Sequence, residues 1–350
     1  MARRGRLVTA GRWLAGAEPR ATSMESELTI ERVEISVRGR SVAVDGVRVG
    51  ERVIVVWPGW PRIAEVKDEA WLEGDAVTDP DACVTELRRA KLKADLFTFA
   101  QKPPEVTPKY PYFMEWDNAA AVPTSDFTAW WEHRIPQETR KNVRRAGKRG
   151  VVIREVELDG ELLRRIVEIN NETPVRQGRR FWHYGKSLAE VERDYATLVD
   201  RSAYLGAYHG TELIGFIKMV YMGGIAAILQ LLCKPSHYDK RPANALLARA
   251  VEICHAKGLT YLVYGQYTYG NKTQSPLMEF KRRNGFEELR CPRYYVPLTF
   301  RGRTALALGL HHGWRALVPE LVMNSALQLR SGWYRRLAGS IEPGTSSART

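Results

Sequence analysis

What most constrains the fold is the order of elements between Ala203 and Leu298: hairpin, helix, strand, helix, strand. Residues Ala203–Tyr208 and Glu212–Tyr221 are apolar, β-rich runs split by His209-Gly210-Thr211, a hairpin signal. A third run, Ile225–Cys233, follows Met222-Gly223-Gly224. Pro242 then opens a helix to Lys257, with Ala245, Leu246, Ala250, Val251 and Ile253 at helical spacing and Gly258 as its stop. Strand Leu259–Tyr264, a helix from Ser275 to Asn284 closed by Gly285, and strand Tyr294–Leu298 complete the series. Strands and helices interleaved in this way imply an α/β (α+β) domain, without fixing the order of strands in its sheet.

Upstream, Ser125–Trp131 begins one helix and Pro136 opens the next. Val151–Val156 reads as a strand, and Glu161–Asn170 and Leu188–Val199 read as helices. Nearer the start, Leu28–Val37, Ser41–Val44 and Arg52–Val56 alternate apolar and polar between glycines, which is a β meander. Asp79-Pro80-Asp81 signals a helix start, and the four prolines of Gln101–Tyr112 require an extended or loop segment. Residues 304–338 form two helical stretches. The second, about Pro319–Leu337, either packs on its own domain or lies on an anionic bilayer.

The net charge of +13 points to an anionic partner: tRNA, a phosphorylated carrier, a nucleotide-linked sugar or an acidic membrane face. A merely basic surface is the alternative. Six of the ten residues Arg140–Arg149 are cations, namely Arg140, Lys141, Arg144, Arg145, Lys148 and Arg149. On a helix they make a self-repelling stripe, which an anion would offset. Four widely spaced Cys and seven His show no ligand spacing, so free thiols in a reducing compartment are expected and no metal site is. No apolar run is long enough for a membrane span, and the five Arg among the first 24 residues do not make a secretory signal. A cytoplasmic protein follows, with peripheral contact to the inner membrane face left open.

Four motifs carry a family resemblance: Tyr204-Leu205-Gly206-Ala207-Tyr208, Leu213-Ile214-Gly215-Phe216, Pro242-Ala243-Asn244-Ala245-Leu246-Leu247, and Phe280-Lys281-Arg282-Arg283-Asn284-Gly285-Phe286. Arg140–Ala146 adds an entry segment. Together they resemble the GNAT N-acyltransferase superfamily and, within it, the Fem-type branch of aminoacyl and peptidyl transferases. The element order matches the GNAT order, and the resemblance implies a mixed central sheet flanked by helices. The resemblance implies a basic arm over 1–27, a reduced or divergent β-rich half over 28–130, an acyltransferase domain over 131–299 and a helical extension with a tail over 300–350. It implies acyl or aminoacyl transfer from acyl-CoA or aminoacyl-tRNA to an amine of an anionic or carrier-linked acceptor, such as a cell-envelope precursor. The competing expectation is a catalytically inactive GNAT-fold protein that binds tRNA or an anionic membrane.

The resemblance also assigns candidate residues. The donor pyrophosphate would sit at the loop before Pro242, where Arg241 stands at the family's first glycine and Ala243 at its last small residue. Lys240, Arg241, Ala243 and Asn244 are the donor-binding candidates, although Pro242 removes one N–H. Phe280-Lys281 matches a Phe-Lys pair by the reaction centre, where the Lys281 cation would stabilise an oxyanion. Tyr267 and Tyr269 are candidate general acids in the loop after a strand. The dense polar and aromatic stretch Glu172–Lys186 would cover the acceptor through Arg176, Gln177, Arg179, Arg180, Trp182, Tyr184 and Lys186, with His183 as candidate base.

Overall fold

The computed structural model describes residues 29–37, 40–67, 69, 76–176, 178–269 and 275–312. The basic arm, Gln177 and the helix expected over Pro319–Leu337 lie outside the described residues. Four strands open the fold: β1 (Ile30–Val37), β2 (Arg40–Val49), β3 (Arg52–Trp57) and β4 (Ile63–Val66). They form the expected antiparallel meander. Asp79 then caps α1 (Pro80–Arg89), its carboxylate accepting the Ala82 N–H at 2.9 Å. The helix crosses over to β5 (Leu96–Ala100), which pairs parallel with β4.

After the proline-rich loop come β6 (Phe113–Pro123), the short α2 (Phe127–Ala129), α3 (Gln137–Lys148), β7 (Val151–Val156) and α4 (Gly160–Asn171). The small ladder β8 (Val175–Arg176) and β9 (Arg179–Arg180) leads into α5 (Leu188–Tyr195). The sheet resumes with β10 (Ser202–His209), β11 (Glu212–Met222) and β12 (Ile225–Cys233), followed by α6 (Pro242–Ala256) and β13 (Tyr261–Val263). The series ends with α7 (Pro276–Arg283), β14 (Glu287–Pro297) and α8 (Phe300–Ala307). A 12-stranded mixed sheet results, in the order β1-β2-β3-β4-β5-β14-β6-β13-β12-β11-β10-β7.

Alternation along the strands sends side chains into separate cores on the two faces. Leu205, Ala207, Ile217 and Met219 pack with α6 residues Leu246, Leu247, Ala250 and Val251. On the other face, Tyr204, Leu213 and Phe216 meet Leu162, Ile166 and Ile169 of α4 and Val191 of α5. A further core joins α1 to β2–β5 and to Tyr294 and Val296 of β14. All four cysteines are free, as expected from their spacing, and all four are buried. Among the described residues, no helix is long and apolar enough to cross a membrane.

Three departures from the sequence expectations have physical reasons. Strand β14 begins at Glu287 rather than Tyr294, because its charged first half pairs with β6 in the interior of the sheet. Strand β6 itself carries Glu115, Asp117 and Asn118 in its first half, and its apolar run Ala119–Val122 is short and alanine-rich, so β-propensity does not announce it. Helix α5 stops at Tyr195 instead of reaching Val199. Leu198 is left-handed (φ 54), and Lys218 Nζ takes the carbonyls of Tyr195 (3.2 Å) and Thr197 (2.7 Å).

Strand β14 joins the two parts of the sheet, pairing with β5 on one side and β6 on the other. Its Arg293 donates through Nε to Asp117 Oδ2 and through Nη1 to Glu69 Oε2, each at 3.1 Å. Glu69 is buried and its other oxygen accepts the Ala100 N–H at 2.9 Å. Burial raises the Glu69 pKa and Arg293 works against that rise. Removing one member of a buried ion group strands the others, which costs about 3–5 kcal/mol. Arg293→Met is therefore expected to lose stability on that scale in chemical denaturation. A loss below about 1 kcal/mol, typical of exposed ion pairs, would show that the group does not hold the sheet halves together.

Candidate active site

The site begins where the sheet opens. Strands β12 and β13 pair in parallel from Ile225↔Tyr261 to Ala227↔Val263 and no further. Beyond that point β12 continues to Cys233, whereas β13 gives way to the loop Tyr264–Tyr269. The strands diverge, and half-buried Leu231, Ala243, Tyr264, Tyr267 and Phe280 gather around the α6 core below the opening. Ligand sites in such sheets form beyond the carboxyl ends of parallel strands.

Lys281 stands on one wall. Ser275 caps α7 through the Met278 N–H at 3.1 Å, and the helix carries Lys281 into a fully buried position. Its Nζ donates to the Gln266 carbonyl at 2.7 Å and to Tyr269 Oη at 3.4 Å. The rings of Tyr264 and Tyr269 lie 4.7 and 4.8 Å from the same nitrogen. Desolvation lowers the Lys281 pKa from 10.5 to about 8. Gly265 makes the fold-back of Tyr269 possible: its φ is +55, and a Cβ there would come 2.5 Å from Tyr269 Oη. Burial raises the Tyr269 pKa, and the Gln266 N–H opposes the rise.

Two residues that sequence reasoning missed hold this loop. Asn118 Oδ1 accepts the Thr268 N–H at 2.7 Å, and Asp117 Oδ1 accepts from Gln266 Nε2 at 3.4 Å. Both lie on β6, about 150 residues away in sequence, and only the strand pairing brings them here. Tyr267 takes a different place from Tyr269, packing in the apolar cluster with Phe280.

The opposite wall carries His183, Arg176 and Gln230. His183 is buried, with Nε2 2.8 Å from Gln230 Nε2 and its ring tilted against Trp182 at a centroid distance of 3.6 Å. Burial, then Lys186 and Arg176, lower its pKa to about 3. Burial and the two neighbouring cations make His183 a weak base near neutrality, which argues against the role expected of it. Arg176 gives its forks to the carbonyls of Ile169 (2.7 Å) and Cys233 (3.0 Å), with its guanidinium 4.0 Å over the Phe181 ring. It braces the loop rather than presenting a free fork. Arg180, Trp182 and Tyr184 are exposed, and Lys186 pairs with Asp194 at 2.5 Å. Of Arg179 only the backbone, in β9, is described. Asn170, Thr173 Oγ1, Glu172 Oε2 and His183 Nδ1 are buried polar groups without a hydrogen-bond partner among the described residues.

The loop before α6, the candidate donor-binding segment, has unusual residues. Arg241 has the left-handed φ of 58 that suits glycine and leads into α6 without a side-chain cap. It is exposed. Asn244 is committed elsewhere, donating to Asn284 Oδ1 at 3.0 Å, and Lys240 lies 3.6 Å from Asp239. Arg149 of the basic segment clamps that same aspartate, through its carbonyl at 2.6 Å and its carboxylate at 2.9 Å.

This combination of sheet, splay and helix has a counterpart among solved structures. FemX superposes with a TM-score of 0.50 at 12% identity, over 80% of this chain and 90% of FemX. The chain has the GNAT-like fold of FemX. L-PGS from Bacillus licheniformis is similar at a TM-score of 0.49 and 15% identity, covering 70% and 81% of the two chains. In sequence, 102 residues are 30% identical to spermidine N(1)-acetyltransferase of Thermoplasma acidophilum, 29% of this chain. The match spans 60% of that curated relative's length. No family model matches the chain.

The His183 environment carries a signed pH expectation. With a folded pKa of about 3 against 6.5 unfolded, the neutral ring contributes stability above about pH 6.5. That contribution is lost as pH falls from 6.5 toward 3. Wild type and His183→Gln are therefore expected to converge in stability on acidification from neutral pH. A difference that stays constant in urea titrations across that window would mean the imidazole is not held neutral.

Proposed function

We propose that this protein is an N-acyltransferase that moves an acyl or aminoacyl group to an amine of an anionic, carrier-linked acceptor. The observation that carries the proposal is the buried Lys281 ammonium, held at the mouth of the splay against Tyr264 and Tyr269. An amine attacks the donor carbonyl and forms the new C–N bond, and Lys281 stabilises the oxyanion that develops. Collapse breaks the bond to the thiolate or ribose oxygen of the donor. Tyr269, in contact with Lys281 Nζ at 3.4 Å, protonates that leaving group. The proton lost by the attacking amine passes to solvent or to the substrate itself, since His183 is too weakly basic to take it.

The curated relative is an acetyltransferase acting on spermidine, a polycation. A net charge of +13 and the exposed Lys141, Arg144, Arg145 and Lys148 of α3 repel such an acceptor and favour an anionic one. Either acyl-CoA or aminoacyl-tRNA suits the donor side. Arg241 supplies a cation at the start of α6, while Pro242 and the committed Asn244 leave few donors for a pyrophosphate. A cytoplasmic protein working at the inner membrane face fits an envelope precursor as acceptor.

The test follows kcat/KM against pH for release of CoA from acetyl-CoA, and deacylation of aminoacyl-tRNA, with a panel of amine acceptors. Lys281→Met is expected to lower turnover at least tenfold, and about a hundredfold if one full oxyanion donor is lost. The Lys281 cation is lost above its pKa of about 8, so wild-type kcat/KM falls through that pH. Lys281→Arg keeps its charge and removes that limb. Full activity in Lys281→Met would sink the assignment.

A further inference from the structure

Glu115 of β6 meets two histidines from the turn after α8, and no sequence spacing announces the encounter. His311 Nε2 lies 3.1 Å from Glu115 Oε1, and His312 Nε2 lies 3.2 Å from the same oxygen and 3.0 Å from Oε2. One ligand atom from each of the three residues falls within 4.8 Å of the others. We propose that Glu115, His311 and His312 bind a divalent transition-metal ion of the zinc class, at a site separate from the acyl-transfer cleft.

The geometry suits that ion. Ligand atoms about 2.1 Å from a tetrahedral metal stand about 3.4 Å from one another. The nitrogen-to-oxygen distances here, 3.0 to 3.2 Å, are close to that edge. Two imidazoles and a carboxylate favour zinc and its neighbours over magnesium or calcium, which prefer all-oxygen sets. The fourth position would be taken by water. His311 is oriented before any ion arrives: its ring packs at 4.7 Å against Tyr295 and 6.0 Å against Phe113, residues paired across β14 and β6. His311 Nδ1 is buried without a partner among the described residues, so Nε2 is the nitrogen that meets the carboxylate.

The site lies five residues before Ala120, whose backbone pairs with Tyr264 and Gly265 in the cleft. At about 3.3 Å per residue this is some ~16 Å along the strand. A bound ion would therefore tie the turn after α8 to β6 without touching the transferred group. Such a tie stabilises the folded state by mass action.

The experiment uses the untagged full chain, stripped with chelator and titrated with Zn²⁺ by calorimetry and with Co²⁺ by visible absorption. One equivalent with a tetrahedral Co²⁺ spectrum and a raised Tm is expected. Glu115→Gln and His312→Ala should each weaken binding at least tenfold, and both positions are accessible enough to keep the fold. Absence of saturable binding overturns the proposal. So does unchanged affinity in both variants, which would place any uptake at the other histidines.

Discussion

A parallel ladder only three residues long, Ile225–Ala227 against Tyr261–Val263, decides where this sheet opens. Had the pairing continued, Gln230 and Leu231 would be covered by β13 and the loop Tyr264–Tyr269 would have no cleft to face. Because it stops, β12 presents Gln230 with its His183 neighbour on one side, while Lys281 and its two tyrosines stand on the other. The opening is paid for by side chains: Arg293 and Asp117 fasten β14 to β6, and Asn118 then holds the loop that follows β13. The cleft is thus a consequence of sheet topology, stiffened from behind by ion pairs.

The same connectivity occurs twice. Strands β2, β3 and β4, helix α1 and the parallel strand β5 follow the path of β10, β11, β12, α6 and β13. The helix starts separate the two copies chemically. In the first, Asp79 takes the Ala82 N–H of α1 with its own carboxylate, and Asp81 adds a second negative charge. In the second, α6 starts without a side-chain cap and without an acidic residue in its first turn. A phosphate or carboxylate ligand is repelled at one and favoured at the other.

How much of this was legible from sequence depends on the range of the interaction. Local signals worked: Asp79-Pro80, Pro242 and Ser275 each mark a helix start, and His209-Gly210-Thr211 marks a hairpin turn. Apolar strands such as Ile225–Cys233 were readable from composition alone. Strand β6 was not, because its residues are chosen for partners far along the chain: Asp117 for Arg293, Asn118 for Thr268, Glu115 for His311. The repeat of topology was expected only through the family resemblance, as a reduced or divergent half, since α1 and α6 share a position but no sequence. Lys281 and Tyr269, both candidates from the sequence, lie in contact with each other. Burial, invisible in a sequence, lowers the basicity of His183 and argues against the role expected of it.

Two fully buried lysines differ in how completely the protein solvates their charge. Lys218 Nζ is surrounded by oxygen: the carbonyls of Tyr195 and Thr197 and the Thr197 hydroxyl, all within 3.2 Å. Its three protons have acceptors, and the cation finishes the end of α5. Lys281 Nζ has one short bond, to Gln266, a long one to Tyr269, and two aromatic faces in place of further oxygens. Desolvation there is incompletely compensated, and the lowered pKa is its measure. A substrate oxyanion would supply the acceptor that the protein withholds, so the bond strengthens as charge develops on that oxygen. The incomplete solvation of Lys281 is a cost to the resting fold and, on this argument, the source of its selectivity for the transition state.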